Sequence, residues 1–242
     1  MGASILLAHR ARWQTKPGLR AIYHDYYRRM AQRTRPGRTL EIGAGTGWLR
    51  ECLEDVVLSD VQPAPWLDVV ADAQRLPFRS GSFDNVVMLD VLHHLERPPL
   101  FFAEAERVLR PGGRLVMIEP GITPVSRLVF RLFHDEPVEL SADPLPEGAP
   151  TPGRDPYEAN QAIPSLLFGP ARARFERRFP RLKLIERRRL SLFAYPLSGG
   201  YRRFSLIPAW LVGPLLRVED ALLPLFGRFM AFRLLVALER QA

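Results

Sequence analysis

Between Thr39 and Pro120 the chain places five short apolar runs, and no other feature limits its fold so tightly. They are "TLEI" (39–42), "VVLSDV" (56–61), "LDVVAD" (67–72), "FDNVVMLDV" (83–91) and "GRLVMIEP" (113–120). Their near-continuous Val, Leu and Ile content is that of strands covered on both faces, as parallel sheets require. Between the last two runs, "PPLFFAEAERVLRPGG" carries apolar residues at helical spacing and is expected to stop at Pro111-Gly112-Gly113. Strands alternating with helices predict an α/β chain with a doubly wound, mostly parallel sheet. Only "QPAPW" separates the second and third runs, where a parallel crossover needs about a dozen residues. "LDVVAD" is therefore expected to be a short edge strand reached by an irregular loop.

After Pro120 the pattern changes. "PVSRLVFRLFH" (124–134) predicts a helix, and the acidic, proline-rich stretch 135–156 a long loop of the kind that is functional or mobile. "IPSLLFGPARARFERRF" predicts a second helix and "RLKLIERRRLSLFAY" a long alternating strand. Residues 204–229 read as a proline-broken helical pair, and "AFRLLVALER" as a final strand. At 242 residues and 47% apolar content, one domain over 1–242 with a sizeable core is expected.

Several chemistries are excluded. Cys52 is alone, so no disulfide framework can form, and a reducing, cytoplasmic setting fits. The five histidines show no Cys-x-x-Cys or His-Glu-x-x-His partner spacing, so no metal ligands are expected. The start, "MGASILLAHRARW", has an apolar run too short for a signal peptide or a spanning helix, and no Ser or Thr at position 6 to meet the myristoylation pattern.

The stretch "RTLEIGAGTGWLR" (38–50) joins the first strand to a turn with Gly43, Gly45 and Gly47. A dinucleotide turn would place its third glycine where Trp48 stands, and a phosphate-binding loop would end in Gly-Lys-Ser/Thr. Glu41 would repel a pyrophosphate but would tolerate a cofactor with a positive centre and an amino-acid tail. The pattern resembles motif I of the class I S-adenosylmethionine-dependent methyltransferases. The resemblance runs over roughly residues 20–120. "LSDV" is similar to the acid-tipped second strand, "ADAQRLPF" to the segment after the third, and "GSFDNVVMLDVLHHL" and "RVLRPGGRLVMIEP" to the fourth and fifth strands of the ubiquinone-methyltransferase-like (methyltransferase type 11) branch.

The resemblance implies a Rossmann-like sheet with an antiparallel final strand and a helical insertion near the C-terminus. It also implies S-adenosyl-L-methionine as cofactor. Asp60 would take both ribose hydroxyls, Asp72 the adenine amino group and Ala73 would offer a backbone amide, while Asp90 would line the methionine end. The full implied cofactor set is Glu41, Gly43, Ala44, Gly45, Gly47, Asp60, Val61, Asp72, Ala73 and Asp90. Residues 36–120 would form the cofactor-binding core, 121–180 a substrate-side segment, and 196–229 a hydrophobic helical insertion.

Methyl transfer from a sulfonium needs mainly positioning and exclusion of water. A base is needed only for a weak nucleophile, for which His93, His94 and His134 are the candidates. The insertion is rich in Leu, Phe and Trp and studded with arginines. It could accept a lipid chain or rest on an anionic membrane, at the inner face in a cytoplasmic setting. A small-molecule or lipid-linked acceptor is expected, and no nucleic acid. Residues 135–160 carry seven acids against one arginine, and 171–242 fifteen bases against five acids, a contrast that suggests two different partners. Two alternatives are an RNA methyltransferase using the basic C-terminal third and a non-catalytic cofactor-binding partner protein. Against the first, Arg187–Arg189 lack interleaved stacking aromatics.

Overall fold

The computed structural model describes residues 2–242, so Met1, with which the targeting patterns begin, lies outside the described residues. Two helices come first, α1 (Gly2–Thr15) and α2 (Pro17–Ala31). The strands β1 (Thr39–Ile42), β2 (Val56–Asp60), β3 (Val69–Val70) and β4 (Phe83–Leu89) follow, then α3 (Pro98–Val108) and β5 (Leu109–Pro120). Beyond these lie α4 (Pro124–Phe133), α5 (Ile163–Leu167), α6 (Arg172–Arg178), β6 (Leu182–Leu190), α7 (Ala194–Ser198), α8 (Ala209–Met230) and β7 (Arg233–Arg240).

One seven-stranded sheet results, in the order β3-β2-β1-β4-β5-β7-β6. The first five strands pair in parallel and β7 runs antiparallel between β5 and β6. The continuous apolar runs are explained by two cores, one on each face. Along β4, Val86 and Met88 pack with Phe101 and Phe102, whereas Val87 and Leu89 pack with Trp13 and Tyr26. The strand order reverses between β1 and β4, so their C-terminal ends open a crevice where open α/β sheets bind ligands. β3 is the expected edge strand, two residues long and without a preceding helix.

Four expectations are corrected. The helix before β5 ends at Val108, not at the Pro-Gly-Gly. Gly113 stands there because a Cβ would meet the carbonyl oxygens of Arg110 and Asp84 at 2.8 and 2.9 Å, and the register against β4 shifts beside it. The helix expected over "IPSLLFGPARARFERRF" is two short ones. Pro170 has no N–H to donate and disfavours the helical conformation of Gly169. Trp48 begins a single 3-10 turn, Trp48–Glu51, and stacks on Trp13 at 5.5 Å.

The proline-broken pair is one 22-residue helix, α8, with Pro214 and Pro224 inside it. Each proline removes one hydrogen bond, but tertiary anchors hold the helix on both sides. Glu219 accepts from the N–H groups of Phe193 and Ala194, and Asp220 pairs with Arg29. The charge contrast is met partly inside the chain, since Arg174 pairs with Asp143 and Arg178 with Glu147.

Candidate active site

The glycine turn leaves β1 with Gly43, Gly45 and Gly47 all at positive φ (64°, 49° and 76°), a conformation that costs other residues about 1–2 kcal/mol. Their surroundings differ. A Cβ on Gly43 would overlap Val91, and one on Gly47 would meet Trp66 Cδ1 at 2.8 Å. At Gly45 the nearest atom is the Gly43 carbonyl oxygen at 3.8 Å, so this residue alone of the three presents bare backbone to open space. The expectation that all three glycines meet a ligand is thus narrowed. Gly43 and Gly45 line the cavity below, and Gly47 serves the packing of Trp66.

Asp60, at the tip of β2, accepts hydrogen bonds from Gly45 N–H and Gln62 N–H, both at 2.9 Å. Burial raises its pKa, and these N–H groups offset part of that rise. Glu41 is 2% exposed, and its Oε2 is buried without a hydrogen-bond partner. Burial, then the nearby Asp60 carboxylate, holds its pKa well above the carboxylate range, with Arg50 opposing weakly. A partnerless buried carboxylate beside an open glycine is what a cationic, hydrogen-bond-donating ligand would satisfy. Asp72 accepts from Gln74 N–H at 2.8 Å and lines the same space with Ala44, Val61 and Ala73.

These residues form one end of a cavity of about 1130 Å³. Drug-sized ligands occupy pockets of about 300–1,000 Å³, so a cofactor leaves room for a second molecule. The wall away from the turn is aromatic and apolar and includes Phe130, Phe133, Tyr195, Phe204 and Leu206.

Between the two ends stand the titratable groups. His93 Nδ1 lies 2.7 Å from Glu119 Oε2, and Glu119 Oε1 accepts the N–H groups of Val91 and Leu92 at 2.9 and 2.8 Å. His93 Nε2 is 3.4 Å from Glu136 Oε2. Burial pulls the His93 pKa down, but the hydrogen bonds to Glu119 and Glu136 outweigh it and raise it to about 9. His94, buried beside that charge, is lowered to about 4, and burial also lowers His134. Burial pushes Glu136 up, yet His93 and its neighbours win and hold it at about 2. His93 is therefore a protonated linker rather than a base, whereas His94 and His134 are neutral. All three line the cavity.

Asp90, at φ 60°, ion-pairs with Arg233 and accepts from the Tyr23 hydroxyl at 3.3 Å. Arg233 is 2% exposed and lies 4.0 Å over the Tyr195 ring. Sequence reading missed Arg233 and Glu119 as site residues. The available signal was a charged residue at the end of an apolar run, in "FRLLV" and "VMIEP".

Residues 40–117 match the family described as Methyltransferase domain. A malonyl-[acyl-carrier protein] O-methyltransferase of Hahella chejuensis is 34% identical over 99 residues, 34% of this chain and 36% of that protein. A phthiotriol/phenolphthiotriol dimycocerosates methyltransferase of Mycobacterium leprae is 36% identical over 115 residues, 40% of this chain and 43% of that protein. A demethylmenaquinone methyltransferase of Renibacterium salmoninarum is 36% identical over 99 residues, 35% of this chain and 42% of that protein. The matched stretch spans under half the length of each of these curated relatives.

Among solved structures, a SAM-dependent methyltransferase from Archaeoglobus fulgidus is similar with a TM-score of 0.54 at 14% identity, over 91% of this chain and 94% of that one. The [4+2]-cyclase SpnF is similar with a TM-score of 0.50 at 16% identity, over 90% of this chain and 80% of that one. Both likenesses are of fold. Sheet order, glycine turn and family match agree: residues 40–117 match a methyltransferase domain and are similar to S-adenosylmethionine-dependent methyltransferases, a demethylmenaquinone methyltransferase among them.

Proposed function

We propose that the chain methylates an apolar, lipid-like or quinone-like acceptor delivered from an anionic membrane surface. The observation that carries this is the continuity of the cavity. One end is the glycine turn with its partnerless Glu41, and the other is an aromatic wall that reaches the surface at Phe133, Phe204 and Leu206 (62, 48 and 68% exposed). Names of relatives support the acceptor class, since they include a phthiotriol/phenolphthiotriol dimycocerosates methyltransferase and a demethylmenaquinone methyltransferase.

S-adenosylmethionine, when bound, supplies an electrophilic methyl group on sulfur. The residues that would hold it are Glu41, Gly45, Asp60 and Asp72. Asp90, tied by Arg233 and Tyr23, braces the floor between cofactor and acceptor. The aromatic wall excludes water and orients the acceptor, which is much of the catalytic task in such a displacement. For a hydroxyl acceptor, neutral His134 offers its Nε2–H as a hydrogen-bond donor, because its other ring nitrogen is already an acceptor. Its Nδ1 accepts the Glu136 N–H at 3.3 Å.

The membrane part rests on exposed apolar residues beside the cavity mouth, Leu132, Phe133, Leu206 and Trp210, flanked by exposed Arg131, Arg202 and Arg203. Such a mixture suits the interface of an anionic bilayer. Among the described residues no helix is long and apolar enough to cross a membrane. Two assays test the reading. Release of demethylated cofactor is measured across isoprenoid quinols, lipid extracts, phenols and RNA, with turnover expected on the first two. Flotation is measured on anionic and zwitterionic vesicles, with binding expected on the anionic ones and lost in Leu206→Glu and Trp210→Glu. Turnover on RNA alone would refute the acceptor class, and a wild-type protein that never floats would refute the membrane.

A further inference from the structure

The midpoint of the cavity carries a second set of donors that methyl transfer does not account for. We propose that it binds one divalent transition-metal ion, of the zinc or cobalt kind. The ligands are His93 Nε2, a ring nitrogen of His94 and a carboxylate oxygen of Glu136, which lie within 4.8 Å of one another.

Three observations support the site. First, His93 Nε2 and Glu136 Oε2 are 3.4 Å apart, while the other His93 nitrogen meets Glu119 at 2.7 Å. A charge-assisted hydrogen bond closes to about 2.7–2.9 Å, so the Glu119 side is the tight one, and on the longer Glu136 side an ion would take the place of the His93 Nε2 proton. Two ligand atoms on one tetrahedral ion, each about 2.0–2.1 Å from it, are separated by roughly 3.4 Å. Second, His94 Nδ1 is buried with no hydrogen-bond partner, a loss that an ion would remove. Third, the outer partners of a metal site are already in place. Glu119 grips His93 Nδ1, the carboxylate–histidine arrangement that fixes the ligating nitrogen, and the Gln161 amide grips Glu136.

Two imidazoles and one carboxylate select zinc, cobalt, iron or nickel rather than calcium or magnesium, which want oxygen. Three protein ligands leave a coordination position facing the cavity that His93, His94 and Glu136 all line. If methyl transfer is the activity, that position takes an oxygen of the acceptor, and this clause alone rests on the proposed function. The expectation of no metal ligands followed from motif spacing. Here the donors are a histidine pair and a glutamate forty-two residues later, a spacing that only the folded chain brings together.

The test uses the full chain, stripped with chelator, dialysed and titrated with Co²⁺. We expect one equivalent retained through gel filtration, with the visible absorption of a four- or five-coordinate site. Glu136→Gln and His94→Asn should each weaken binding at least tenfold. Glu119→Gln, which touches only the outer partner, should weaken it about 10–100-fold, and Cys52→Ser should leave it unchanged. Binding of demethylated cofactor, measured by calorimetry, shows which variants are folded and is independent of the metal. Absence of stoichiometric cobalt in the wild-type protein, or an unchanged spectrum in folded Glu136→Gln and His94→Asn, would overturn the proposal. Inactivity toward every acceptor with cobalt still bound would leave the metal site standing and count against methyl transfer alone.

Discussion

Replacing Glu41 by Gln should make the ligand-free protein more stable and the cofactor bind less tightly. The carboxylate is 2% exposed, one of its oxygens has no partner, and the nearest charge that matters most is the like-charged Asp60. Leaving a buried polar group unsatisfied costs about 1–3 kcal/mol, and more for a charge. Glutamine keeps the shape and removes the charge, so a gain of about 1–3 kcal/mol is expected. A chain of this size moves about 2–4 °C in Tm per kcal/mol, so melting should rise by several degrees. The sign depends on pH. The folded-state pKa is raised, so the wild-type protein loses stability as pH rises from the ordinary carboxyl range through that raised value. The advantage of the variant should therefore vanish in acid, below about pH 4, and be full at high pH. Cofactor binding should move the other way. A hydrogen bond to a charged group contributes about 1.5–3 kcal/mol, which weakens Kd by roughly 10–150-fold. Chemical denaturation across pH and calorimetry with demethylated cofactor measure both quantities. A variant no more stable at neutral pH that binds the cofactor as well as the wild type would refute the reasoning.

The two glycines of the turn should separate by assay. Gly47→Ala meets both positive φ and Trp66 and should lose about 2–4 kcal/mol of stability in urea titration. Gly45→Ala, with open space around it, should lose only about 1 kcal/mol but bind demethylated cofactor at least tenfold more weakly. Asp60→Asn keeps an acceptor for only one of the Gly45 and Gln62 N–H groups, which bond different oxygens, and calorimetry should show about a tenfold loss of affinity. Arg233→Met leaves Asp90 without its buried partner, and urea unfolding should show a loss of about 3–5 kcal/mol.

Much of the first half of the sheet and its glycine turn was legible in the sequence because its contacts are short-range. Strands buried on both faces must be apolar at consecutive positions, so β1, β2 and β4 announced themselves, and the missing crossover residues announced β3 as an edge. The turn and Asp60 lie within eighteen residues of one another, and their hydrogen bond joins neighbours on the sheet. Helix interruption was read wrongly in both directions, and the reason is the same. Proline states a local cost, and tertiary packing decides whether it is met. Around Gly169-Pro170 nothing continues the helix, whereas Glu219 and Asp220 hold α8 across Pro214 and Pro224. The acceptor end was least legible because its pairs are far apart in the chain. Asp90 with Arg233, and His93 with Glu119 and Glu136, are set by strand order, which residue spacing does not reveal.

Charge divides the cavity in a way that fits its two ends to different ligands. At the glycine turn, Glu41 and Asp60 have no cationic side chain hydrogen-bonded to them; backbone N–H groups hold Asp60, and one Glu41 oxygen is bare. Further in, Asp90 has Arg233, and Glu119 and Glu136 share His93. Carboxyls that burial biases toward the neutral form ionise more readily when a cation arrives, and a compensated floor tolerates a neutral, apolar molecule. The same fold in a [4+2]-cyclase shows that the sheet does not choose the reaction. The choice falls to the walls, and here the wall residues of the acceptor end, from Val129 to Glu136 and from Tyr195 to Leu206, all lie outside the matched segment 40–117. On the proposed function, the donor is selected within the segment this chain has in common with its relatives and the acceptor outside it.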